Sequence, residues 1–216
     1  LNNVRKLEAA GASWTATIRQ DCALTNLADS VLGRAWYDRQ IGVRVHVLGE
    51  AGTTVFAGNE PESRRAPGKE ASKGDKSNRP NEIGGTTLLA RRVAPATVFA
   101  AVHEPFEENT PRLEAVTRLA QTKEGVAVAV RGQAGSGVND RLLYSFWDAH
   151  AAPVTLEGDG ERFTFVDRVF IRISADRVEA SGDLRGLRLK VAGTPRLIVN
   201  DRERASTARG GVLTSE

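Results

Sequence analysis

Apolar residues recur at every second position over short stretches of this chain, and that period restricts it to strands. A strand turns successive side chains to opposite faces, so alternation marks a half-buried sheet surface. Ile41–Leu48 is the plainest case: Ile41, Val43, Val45 and Val47 share one face, and Arg44, His46 and Leu48 share the other. Residues 12–20 set Trp14, Ala16 and Ile18 against Thr15, Thr17 and Arg19, and residues 125–131 repeat the pattern with Val126, Val128 and Val130. In residues 140–147 Leu142, Tyr144 and Phe146 share a face, which argues for a core tyrosine. Shorter runs at 154–156, 162–166, 169–173, 178–180, 186–191 and 196–199 are separated by turn residues such as Asp159-Gly160 and Ala175-Asp176. Residues 23–32 have helix-compatible spacing at Leu24, Leu27, Ala28 and Val31, but over too short a span to sustain a helical period. The pattern predicts an all-β fold, a large two-sheet antiparallel β-sandwich with a long mobile loop.

Residues 86–106 hold two apolar runs, 86–90 and 97–102, joined by Arg91, Arg92 and a turn at Ala94-Pro95. The second run is apolar on both faces, so it reads as a central strand that ends in polar chemistry at His103-Glu104. Residues 49–52 are turn chemistry, and 53–57 read as the returning arm of a hairpin begun by 41–48. Residues 58–85 are dense in Pro, Gly, Ser and charge and hold almost no apolar residue, so they read as the mobile loop. The expected organisation is 1–40 as an N-terminal strand and connection into the sandwich, 41–200 as the sandwich itself, and 201–216 as a polar, frayed tail.

The charge balance excludes little. Thirty Lys and Arg against 27 Asp and Glu give +3 over 216 residues, and without a basic stripe this makes no case for nucleic acid. No apolar run is long enough to span a membrane as a helix. The chain starts at Leu1, contains no Met and shows no signal-peptide pattern, so it reads as a piece of something longer. Cys22 is alone and forms no internal disulfide. The glycine-rich residues 133–138 lack a Lys and phosphate-loop spacing, and no cofactor motif is present.

Three histidines, His46, His103 and His150, lack the close spacing of metal ligands, and no metal is expected. His46 reads as a packed histidine. Two aromatic clusters have the ingredients of a sugar-binding surface, because rings stack on the apolar face of a pyranose while charged groups bond its hydroxyls. They are Trp36, Tyr37 and Arg39 with Asp38 between, and Trp147, Asp148 and His150. The same residues could plug a sandwich end or pack on a neighbouring domain. For proton abstraction next to a carboxylate, Tyr37 and His103 are the catalytic candidates. No nucleophile elbow, HExxH or Walker pattern occurs.

The runs GVRVHVLGEAGTTVFAGNEP, GGTTLLARRVAPATVFAAVHEPF and DRLLYSF, with ERFTFVDR and LRLKVAG closing, resemble the C-terminal β-sandwich region of heparinase II/III-like polysaccharide lyases. The resemblance spans residues 41–199 in outline. It implies an accessory sandwich that walls one side of a substrate cleft and supports an α/α toroid preceding it. It also implies β-elimination on acidic, uronic-acid-containing polysaccharide, and a periplasmic or extracellular location. That family places most of its catalytic His, Tyr and Asn in or near the toroid, so those residues have no positions here and the chain is expected to be inactive alone. A stand-alone carbohydrate-binding module and a structural or protein-docking sandwich are the alternatives.

Overall fold

A computed structural model of the chain describes residues 2–20, 41–59, 86–95, 97–107, 110–146 and 151–215. The short helix-compatible stretch 23–32 and nearly all of the polar loop 58–85 lie outside these residues. The regular structure of the described residues is entirely β, and the chain divides into two compact units, Leu1–Pro111 and Arg112–Glu216.

The first unit contains β1 (Asn2–Ala10), β2 (Ser13–Gln20), β3 (Ile41–Leu48), β4 (Thr54–Asn59), β5 (Thr86–Arg91) and β6 (Ala100–Glu107). An antiparallel four-stranded sheet runs in the order β1-β2-β3-β6, and β4 and β5 form a separate antiparallel ribbon. Val43, Val45 and Val47 of β3, with Leu7, Trp14 and Ile18, pack against Val55, Leu88 and Ala90 of the ribbon. The alternation in β3 therefore does place its valines in a core.

The expected hairpin over residues 41–57 does not form. The turn at 49–52 is real: the Thr53 amide donates to the Glu50 carbonyl at 2.9 Å, and the Glu50 amide donates to Thr53 Oγ1 at 3.0 Å. The chain then crosses to the other layer, where Val55 covers the valine face that a hairpin would have left open. The 86–106 stretch is likewise divided between layers, with β5 in the ribbon and β6 in the sheet. Among the described strands β6 lies at the end of the sheet, not the centre, which suits Pro105 because an edge position tolerates a missing N–H. Arg92 holds the connection between β5 and β6. It pairs with Glu50 at 2.9 Å, donates to Thr97 Oγ1, and lies 5.5 Å from the centre of the Phe99 ring.

The second unit contains β7 (Leu113–Gln121), β8 (Gly125–Gly132), β9 (Asn139–Ser145), β10 (Val154–Gly158), β11 (Glu161–Ile173), β12 (Arg177–Lys190), β13 (Arg196–Val199), β14 (Arg202–Arg204), β15 (Thr207–Arg209) and β16 (Val212–Ser215). These ten form one hydrogen-bonded sheet. The separate runs expected at 162–166 and 169–173 fuse into β11, and those at 178–180 and 186–191 lie within or largely within β12.

Bulges bend this long pair. The register of β11 on β12 jumps between Val166 and Val169, where Asp167 has φ 60°, and again between Thr164 and Phe165. On β12 the buried positions change parity across Arg185, from Val178, Ala180 and Leu184 to Leu187 and Leu189. Such bulges increase twist and re-aim a strand. The first half of β11 pairs with β10 and the second half with β9; the first half of β12 pairs with β13 and the second half with β16. The sheet thus folds over into two layers. At their contact Gly158 of β10 lies so close to the Leu119 carbonyl of β7 that a Cβ would not fit.

Between the layers Phe163, Phe165, Ile171, Val178, Leu189 and Leu197 are fully buried. Burial of each such side chain contributes about 1.5–3 kcal/mol. The pairing is antiparallel except for β12 with β13. A parallel pair needs a crossover, and the second half of β12, which has passed into the other layer, supplies it. The described part of the expected frayed tail, residues 201–215, is not frayed: it holds β14, β15 and β16, and Leu213 is 1 % exposed in the core.

Gly182 sits at the inner side of the bend with φ +116°, its position hemmed by the Arg168 carbonyl. The Asn200 side chain completes the ladder there, accepting from the Gly182 amide at 2.9 Å and donating to its carbonyl at 3.0 Å. Gly182→Ala is therefore expected to lower unfolding free energy by about 2 kcal/mol or more. An unchanged denaturation midpoint would show that the bend does not depend on this backbone geometry.

Candidate functional site

The register of β3 on β6 sets Arg44 directly opposite Glu104, and His46 opposite Val102. All four side chains share one sheet face, since both strands alternate and the pairing matches even numbers to even numbers. Glu104 Oε2 accepts from Arg44 Nε at 2.7 Å and lies 3.0 Å from His46 Nε2. An ionised carboxylate is only an acceptor, so His46 carries its proton on Nε2 when it makes this bond. Glu104 is 4 % exposed and His46 8 %. A buried carboxylate held by two donors is an orienting and charge-neutralising arrangement. It joins β3 to β6 by side chains as well as by the ladder.

Strand β9 carries ionic pairs on both of its faces. Outward, Asp140 faces Arg172 of β11, with Nε to Oδ1 at 3.1 Å and Nη2 to Oδ2 at 3.0 Å. The hydrogen bonds Arg172 donates to Asp140, and then the charge of that carboxylate, raise the Arg172 guanidinium above its ordinary pKa. Inward, Arg141 reaches Glu161 at the start of β11 with a second two-point contact, Nε to Oε2 at 2.7 Å and Nη2 to Oε1 at 2.9 Å. Its remaining nitrogen Nη1 donates to Asn139 Oδ1 and to the Asp140 carbonyl. Glu161 is 1 % exposed on the same inward face of β11 as Phe163 and Phe165, so this pair spans the interior from one layer to the other.

A surface pocket of about 410 Å³ lies between β13 and the β14–β15 segment, lined by Arg196, Glu203, Arg204 and Ser206 among others. Its charged groups face one another, with Arg196 3.8 Å from Glu203, while Arg204 donates to the Leu184 carbonyl at 2.6 Å. Among the described residues no three His, Cys, Asp or Glu side chains converge as metal ligands would.

Of the residues singled out from sequence, Trp36, Tyr37, Arg39, Trp147, Asp148 and His150 lie outside the described residues. His103 is described: it stands in the middle of β6, exposed, on the face opposite Glu104. The strand does not end at His103-Glu104 but continues through Phe106, which is 4 % exposed. Tyr144 is not core. It is 44 % exposed, because Leu143 and Ser145 take the inner face of β9 and the tyrosine turns outward. Its ring contacts Phe146 at 6.4 Å between centroids.

Sequence reasoning missed Glu104 as the partner of Arg44 and His46. Alternation had placed it on the right face, but only the strand register brings it to residues some 60 positions away. Glu161 and Arg141 were missed for the same reason.

Removing one member of the inter-layer pair leaves a buried charge without its partner, at a cost of about 3–5 kcal/mol. Glu161→Ala is expected to destabilise by that amount in chemical denaturation, whereas Arg141→Leu combined with Glu161→Leu costs clearly less. Equal losses for both variants would show that the pair is not what the interior relies on at this point. No protein-family model, no curated protein and no solved structure matches the chain.

Proposed function

We propose that this chain is the accessory β-sandwich region of a polysaccharide lyase, acting beside an α/α toroid that carries out β-elimination on uronic-acid-containing polysaccharide. In that reading the sandwich supports one wall of the substrate cleft and is inactive alone. The reading rests first on the resemblance of residues 41–199 set out above, and the all-β body is compatible with it.

The structural observation that carries the supporting role is the outer face of the β4–β5 ribbon. Phe56 and Leu89 are directly paired across the two strands and are 51 % and 57 % exposed, with Val93 a few residues on at 89 %. Paired large apolar side chains left in water on a two-stranded ribbon mark a surface that gains by being covered. Burying them against a second domain contributes about 1.5–3 kcal/mol each. The buried carboxylates of the site support the same reading: Glu104, Asp140 and Glu161 are each engaged by arginine, an arrangement suited to scaffold rather than to proton transfer.

The test is release of unsaturated uronate, followed by its ultraviolet absorbance, on heparin, alginate and ulvan. The chain alone is expected to give none, and the chain joined to a helical toroid domain is expected to turn over at least one of them. Robust turnover by the isolated chain would sink the proposal. In the joined protein, Phe56→Ser with Leu89→Ser is expected to weaken association of the two domains, seen as separate unfolding transitions. A single transition unshifted from that of the parent would remove the ribbon from the interface.

A further inference from the structure

The outer face of the layer formed by β10, the first half of β11, the second half of β12, β16 and β15 has an unbalanced charge. Phe163, Leu187, Leu189 and Leu213 point into the core, so the residues alternating with them face outward. One cross-strand row reads Glu157, Arg162, Arg188, Thr214, Thr207 from β10 to β15. The row beside it holds Lys190, Val212 and Arg209. Among the described residues of this face four cations, Arg162, Arg188, Lys190 and Arg209, thus meet two carboxylates, Glu157 and Asp159.

The carboxylates are not shared evenly. Asp159 pairs with Lys190 at 3.1 Å, and Glu157, although directly opposite Arg162, pairs with Arg188 instead. Arg162 and Arg209 are exposed and have no acidic partner among the described residues. Arg162 also stands directly opposite Arg188, and like charges in register on neighbouring strands repel. An anion laid across the row relieves that repulsion, and the planar guanidinium fork fits a carboxylate.

We propose that this face binds a chain of acidic sugars, with carboxylates on Arg162 and Arg209; between them the Thr214 hydroxyl, which donates to the Thr207 carbonyl at 3.2 Å, is left as an acceptor for a sugar hydroxyl. The inference rests on the lyase-accessory reading for its ligand class and assigns that ligand a surface. Arg162 and Arg209 are three strand spacings apart, roughly 14 Å in the hydrogen-bonding direction. A single uronate cannot touch both; a short oligomer can.

The experiment is a calorimetric titration of the chain with a defined oligouronate, alongside monomeric glucuronate and a neutral dextran oligomer. The oligouronate is expected to bind and to weaken with added salt, and the other two are not. Arg162→Gln and Arg209→Gln should each weaken binding about threefold and together about tenfold. Arg131→Gln, which removes an exposed arginine paired with Glu114 elsewhere in this unit, should change nothing. Oligouronate affinity unaltered in the double variant, equal affinity for dextran, or absence of oligouronate binding would each overturn the assignment. None of these bears on the accessory reading, which is judged by turnover of the chain alone and joined to its toroid.

Discussion

Two long strands that share one hydrogen-bonded ladder cannot enclose a core unless the ladder bends. In the second unit β11 and β12 are thirteen and fourteen residues long, and a straight pair of that length would present a single flat apolar face to water. The bulges at Asp167 and Arg185 turn one ribbon into both walls of its own interior. Everything else in the unit follows from that bend. It gives β10 and β16 one set of partners and β9 and β13 another, and it lets Phe163 and Ile171, on the same strand, belong to the same core from different layers. It also resolves the parallel pairing of β13, whose short connection would otherwise be too brief to reverse the chain twice.

The bend explains where the buried charges sit. A fold-over brings strand ends near strand middles, and Arg141 in β9 meets Glu161 at the start of β11 across the interior. Taking both ions from water is costly, and the gain over an apolar pair is small or negative. What the pair supplies is directional: two parallel hydrogen bonds admit one relative position of the two layers, whereas leucines would accept several. The Arg44, His46 and Glu104 group does the same in the first unit, fixing β6 to β3.

Alternation alone made the fold class legible, because every strand needs a dry face and period two records it. Ile41–Leu48 is described just where its valines predict it. Pairing was less legible. The turn at Glu50 is local chemistry and was visible, but the destination of the chain after Thr53 depends on which layer needs covering, which no short window contains. Tyr144 shows the same limit at single-residue scale, since Leu142, Tyr144 and Phe146 form as plausible an inner face as Leu143 does until Ala127 and Val169 fix the register. The last strands, three or four residues each, are too short for a period to emerge, so their sequence looks like a polar tail although Leu213 completes a core. For the site, His46 reads from sequence only as a packed histidine with Arg44 on its face, and the carboxylate that joins the two is found only through the ladder.

The position of Leu213 bears on how such a chain comes to be folded as it is made. Strand β16 docks along the second half of β12 and brings that leucine directly beside Leu189 in the same layer. A ribosome delivers it last among the core residues of this unit. Until it emerges, the nascent polypeptide carries a partly roofed interior with a β12 edge still seeking a partner, the condition in which neighbouring chains most readily exchange strands.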